Sequence, residues 1–245
     1  MVDVRGAALP ILLWLAACVY ALSRGGTRAV TRAWLVGIFS MLAVASSLSI
    51  SAVTAGVAQV SGVLSLADAI ERTGVIGAGF CAQSLLRRIR EPDRGQFSWR
   101  SGRSRALTIA LGVLWAAFVV GNVRGSEVFG SFARPEFWPT VYMAVFLGYM
   151  AYVLLDVMIG CWHYASSAGG ALGVGLRFMA AGCASALMYV AFKVAALALV
   201  DLGPRMPAFL ESTFGRTDVV LAGVVVVCGA SLPVRVRARR ATVPW

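Results

Sequence analysis

Two ionisable side chains stand inside long apolar stretches, and they are where chemistry could lie. Asp156 interrupts the stretch 138–160, and Lys193 the stretch 176–200. An ionisable group at the centre of a bilayer costs roughly 2.5–3.5 kcal/mol on insertion scales, so each needs a compensating role. Tyr149 and Tyr152 precede Asp156 by seven and four positions and His163 follows it by seven, so on a helix the four share a similar face. Gly182, Ser185 and Tyr189 precede Lys193 at helical spacing, which makes its face small and polar, the kind that packs towards a bundle interior.

A direct Asp156–Lys193 pair is not expected, because at 1.5 Å per residue their depths differ by roughly 15 Å. The functional reading of these residues is a polar path for an ion or small solute, with Tyr149, Tyr152 and Tyr189 as further candidates. The competing reading is structural: Lys193 snorkels to one surface, and Asp156 pairs with Arg177 or His163 near the other. His163 is the only histidine and follows Cys161 and Trp162. Without a second histidine or an acidic cluster beside it, it reads as an interfacial side chain rather than a metal ligand.

Other chemistries lack their residues. The five cysteines lie in or next to apolar blocks with no CxxC spacing, so neither a disulfide nor a metal centre is expected. No GxSxG, HExxH or paired intramembrane aspartates occur, and the Gly-rich stretches 74–79 and 169–175 lack the strand and lysine of a phosphate loop. The expectation is a protein that is not an enzyme and holds no cofactor.

The elements that must position Asp156 and Lys193 follow from composition. Of 245 residues, 59% are hydrophobic and 13% charged, with a mean hydropathy of +0.80. Soluble domains average roughly 45–50% apolar and 25% charged. The apolar residues fall into blocks of about twenty, the length that crosses a hydrocarbon core of ~30 Å. Seven spans are predicted, at 7–22, 33–51, 67–86, 106–123, 138–160, 176–200 and 218–234. The fold class is therefore all-α, a bundle of seven transmembrane helices in one domain over 1–234, followed by a basic tail at 235–245.

The second and third spans are joined by an uncharged stretch rich in Ser, Gly, Val and Thr, which reads as a short turn with helical ends between Ser51 and Ser65. Asp68, Glu71 and Arg72 lie in the first turns of the third span and are expected at a membrane interface.

Arginine placement sets the orientation. One side collects Arg24, Arg28 and Arg32, the seven arginines from Arg87 to Arg105, Arg177, and the four from Arg235 to Arg240; the other has Arg5, Arg124, Arg134, Arg205 and Arg216. Positive residues near span ends stay in the cytoplasm, so the amino terminus is expected outside and the carboxyl terminus inside a bacterial cytoplasmic membrane. Phe137 and Trp138 are placed like an interfacial aromatic belt.

A net charge of +11 could also suggest nucleic acid, but the arginines sit between apolar blocks without a basic groove, so no nucleic-acid partner is expected. The partners expected are the lipid bilayer, with anionic headgroups at the basic inner loops, and a cytoplasmic protein docked on the segment Arg87 to Arg105. Leu15 to Cys18 is lipobox-like. Against processing there, Asp3 accompanies Arg5 in the leader and the apolar run continues to Leu22.

Residues 149–200 carry a resemblance. "YMAYVLLDVMIGCWHYA" ends one helix and "GLRFMAAGCASALMYVAFKVAALAL" forms the next. With Asp156, Trp162, Tyr164, Arg177, Gly182, Tyr189 and Lys193 in place, the chain resembles a family of actinobacterial multi-pass membrane proteins usually labelled transporters. A fainter similarity covers the basic first loop and the second and third spans. The resemblance implies seven helices and a transporter-like role. Similar proteins continue into a cytoplasmic domain, whereas this chain ends at Trp245, so that domain's properties are not expected to carry over.

Two functional classes remain open. One is a transporter-like protein moving a small solute or ion; the other is a seven-helix sensor or anchor that signals to a cytoplasmic partner. Transporters often show internal repeats or broken helices, and neither clear repeats nor an intramembrane proline is read from this sequence, which moves weight towards the sensor or anchor.

Overall fold

The computed structural model describes residues 4–22, 29–63, 65–90, 102–123, 137–167 and 170–200. Within them the chain forms α1 (Val4–Leu22), α2 (Ala29–Leu48), α3 (Ser51–Ser61), α4 (Leu66–Arg90), α5 (Gly102–Val123), α6 (Phe137–Ser167) and α7 (Gly170–Val200). The described residues form helices and turns, as the apolar blocks dictate.

These seven helices are not the seven predicted spans. The first six spans correspond to α1, α2, α4, α5, α6 and α7, while span 218–234 and the tail 235–245 lie outside the described residues. α3 is additional: Ser51 to Ser65, read as a short turn with helical ends, is helical as far as Ser61, and the turn is confined to the few residues before α4. Its Ser, Thr and Gly residues look like turn formers, yet the hydroxyls bond locally in ways that support a short helix. The Thr54 hydroxyl donates to the Leu48 carbonyl at 2.5 Å, satisfying a group freed where α2 stops. At the other end Gly62 takes a left-handed conformation, φ 70°, and its N–H closes on Ala58 O at 2.9 Å. α3 and α4 then meet at an angle of 116°.

Among the described residues four helices are long and apolar enough to cross a bilayer: Thr31–Leu48, Gly102–Gly121, Phe137–Ser167 and Gly173–Ala195. The bent pair α3–α4 makes five if it counts as one span, and the apolar part of α1, Ala8–Leu22, is shorter. These helices mark a membrane-embedded protein. Leu12, Val19, Leu22 and Ile109 stay exposed on helix surfaces, a distribution that suits lipid as the surrounding solvent. α6 and α7 have 31 residues each, about 46 Å of helix. Both run six or seven residues beyond their predicted spans, because helix geometry tolerates the polar residues at which hydropathy falls.

Proline also departs from expectation. Pro10 lies inside α1, where it removes the hydrogen bond that the Gly6 carbonyl would otherwise receive. Pro139 is the third residue of α6, a first-turn position whose N–H has no intrahelical acceptor.

The chain divides into two compact units, Met1–Met150 and Ala151–Trp245, with the boundary inside α6. In the first unit α2 is central, packing extensively on α1 and on α4. Tyr20 stacks on Phe39 with ring centroids 5.4 Å apart, and Trp34 meets Phe80 edge-on at 6.3 Å. Two glycines let α2 and α4 approach: a Cβ on Gly74 would lie 3.0 Å from the Met41 carbonyl oxygen, and one on Gly77 would lie 2.5 Å from Met41 Sδ. In the second unit α6 buries Val153, Val157, Cys161 and Ala165, a ridge of four-residue spacing, and α7 buries Leu176, Ala180, Cys183 and Val190.

A candidate polar site at the start of α4

Among the described residues of the first unit, a polar cluster is built on the first two turns of α4. Asp68 and Arg72 are four residues apart, the spacing at which helix side chains meet. Arg72 Nη2 donates to Asp68 Oδ1 at 2.9 Å and Nε to the same oxygen at 3.2 Å. The other carboxylate oxygen, Oδ2, accepts the Tyr142 hydroxyl of α6 at 3.3 Å. Arg72 Nη1 donates to Met143 Sδ, and the guanidinium carbon lies 5.1 Å from the ring centroids of both Tyr142 and Phe146. The Arg72 side chain is 13% exposed and that of Asp68 32%.

A second connection runs through α5. Trp115 Nε1 donates to the Thr73 hydroxyl at 3.1 Å, Trp115 packs edge-on against Phe118, and Phe118 meets Tyr142 at 6.3 Å. The contacts therefore close a ring across three helices, from Thr73 through Trp115, Phe118 and Tyr142 back to Asp68 and Arg72. Tyr142 and Leu114 are fully buried there, and Ala117 and Phe118 nearly so. Glu71 adds a second carboxylate, sharing a side-chain hydrogen bond with Ser49 at the end of α2 and lying within electrostatic reach of Asp68 and Arg72.

Arg72 lies about 9 Å along α4 from Leu66 and is packed between aromatic rings. Its planar head fits that slot, and Asp68 is the neighbour that neutralises it. Compared with protein-family models, curated proteins and solved structures, the chain matches none of them. The polar site must therefore be read from its own geometry.

The residues singled out in the sequence are placed as follows. Lys193 is buried in the second unit, 9% exposed, with Nζ 5.8 Å from the Tyr189 ring centroid one turn earlier. Gly182 is buried, and Ser185 and Tyr189 are half-buried, so the small polar face of α7 is turned inward. Asp156 is half-buried and Tyr152 exposed, both in that unit, whereas Tyr149 is buried at the end of the first. His163 and Arg177 are exposed. Among the described residues no group of three or more His, Cys, Asp or Glu could hold a metal ion.

Sequence reasoning passed over Tyr142, Met143, Phe146, Trp115 and Thr73. One signal was present: Asp68 and Arg72 at i and i+4, with Glu71 between them, at the head of a stretch that is uncharged from Thr73 to Leu86. The partners came from helices 42 to 74 residues further along the chain, for which hydropathy holds no information.

Proposed function

We propose that this protein is a transporter-like membrane protein that moves a small solute or ion along polar groups between its helices. The observation that carries the reading is the break between α3 and α4, which places Asp68, Glu71 and Arg72 in the first turns of a helix that begins beside irregular backbone. Interrupted helices with ionisable groups at the break are a recurrent way to build solute sites in membrane proteins. Ionisable groups held inside a helix bundle, Lys193 among them, are the second support, because their insertion cost is otherwise unrewarded.

In the full proposal seven helices cross a bacterial cytoplasmic membrane, with the amino terminus outside and the arginine-rich segments inside. The Asp68 end of α4 then faces outward and its Arg87–Arg90 end inward. A sensor that signals to a cytoplasmic partner is the second reading. It is favoured by the exposure of His163 and Arg177 near the α6–α7 junction, which leaves charge available on the proposed inner side.

Reconstitution into vesicles tests transport. Flux of protons, alkali cations or small organic ions above that of empty vesicles, lowered by Asp68→Asn, Asp156→Asn or Lys193→Met, is the expected result. Absence of any flux, together with intact cellular function in those variants, removes the transport reading. Crosslinking of a partner to the arginine-rich segments would then favour the sensor.

A further inference from the structure

The cation in the α4 cluster is supplied by the chain itself. The Arg72 guanidinium lies against two aromatic faces, touches the Met143 sulfur and takes one oxygen of Asp68. Rings and a thioether do little for a small, tightly hydrated metal ion. They suit a weakly hydrated organic cation, whose charge is spread over a flat or bulky surface. Tyr142 holds the second Asp68 oxygen and so keeps the carboxylate aimed at the seat.

Asp68 Oδ1 is the charge partner of the Arg72 guanidinium at 2.9 Å, so a cation that replaced Arg72 would meet the same neutralising carboxylate. Access is available from the carboxylate side, because the Asp68 side chain is 32% exposed while Arg72 is 13% exposed. A cation arriving there meets the acid before it meets the arginine.

We propose that this seat binds a small organic cation of the guanidinium or quaternary ammonium type, and that Arg72 fills it as an internal stand-in that swings away when such a ligand enters. The exchange replaces each contact in kind: ring faces for ring faces, carboxylate for carboxylate. As the recognition step of a transport cycle the seat rests on the solute-moving reading; as a binding site it rests on the residues around Arg72.

The test empties the seat. Purified full-length protein carrying Arg72→Ala is titrated with methylguanidinium chloride, with tetramethylammonium chloride and with sodium chloride at matched ionic strength, following heat of binding and the thermal midpoint. The expected result is saturable binding of the organic cations with recovery of thermal stability, none with sodium, and about a tenfold or greater loss of affinity when Asp68→Asn is added. Equal effects of sodium and methylguanidinium, or binding indifferent to Asp68→Asn, overturn the proposal.

Should Arg72→Ala fail to accumulate, Arg72→Lys carries the same comparison. Its shorter ammonium competes less well, so methylguanidinium should bind the variant more tightly than the wild type; equal affinities overturn the seat. Binding to the emptied seat without methylguanidinium flux through wild-type vesicles supports the seat and counts against transport. Methylguanidinium flux without binding to the emptied seat removes the seat and leaves transport standing.

Discussion

The Tyr142 hydroxyl donates a 3.3 Å hydrogen bond to Asp68 Oδ2 across 74 residues of chain, and through it α6 holds the start of α4. Tyr142 is fully buried, so the bond lies where water competes poorly. Tyr142→Phe keeps the ring against Arg72 and Phe118 and removes the hydroxyl that makes this bond. It should cost about 1 kcal/mol of unfolding free energy, read from reversible unfolding in mixed detergent micelles. Tyr142→Ala also removes the ring, and should cost about 3–5 kcal/mol.

The Trp115–Thr73 bond is the matching tie to α5. A cycle of Thr73→Val, Trp115→Phe and the double variant should give a coupling energy of about 0.5–1.5 kcal/mol. Additive losses would mean that the two side chains act independently and that α5 is held by apolar packing alone.

Two glycines on α4 face the same methionine with opposite consequences. Gly77→Ala brings a methyl group against the Met41 side chain, which can move; Gly74→Ala brings one against the Met41 backbone carbonyl, which cannot. Met41→Ala should therefore rescue Gly77→Ala and leave Gly74→Ala destabilised. Gly112→Ala, with open space around its Cβ position, should be neutral or stabilising by up to about 1 kcal/mol through helix propensity. Thermal midpoints of the five variants decide the matter.

At the α2–α3 break, Thr54→Val removes the hydroxyl that bonds the Leu48 carbonyl. A carbonyl left unpaired away from water costs about 1–3 kcal/mol. Amide exchange in Ser49–Gly62 should quicken while exchange in α5 stays unchanged, a local signature that global destabilisation would not produce.

Orientation is open to labelling in intact cells. In a background without the native cysteines, Ser126→Cys should react with a membrane-impermeant maleimide, and Ser98→Cys should react only after the cells are opened. The reverse pattern would overturn the arginine-based topology.

Composition and the spacing of apolar blocks by themselves determined that the chain is helical and made for a membrane. They also placed the six helices α1, α2, α4, α5, α6 and α7 within a few residues at most ends, because twenty-residue apolar runs have few other ways to satisfy their backbone. The inward face of Lys193 was legible too, since helical periodicity shows which residues share its side. The helical character of Ser51–Ser61 was not, because hydroxyl residues that look like turn formers can equally bond back to helix carbonyls. Nor was the polar ring around Arg72. Asp68 and Arg72 declare themselves as neighbours by sequence spacing, but whether a charged pair faces water or two aromatic rings depends on which helices pack against it. That choice belonged to the tertiary structure, which brought Tyr142, Met143 and Phe146 against the Arg72 guanidinium.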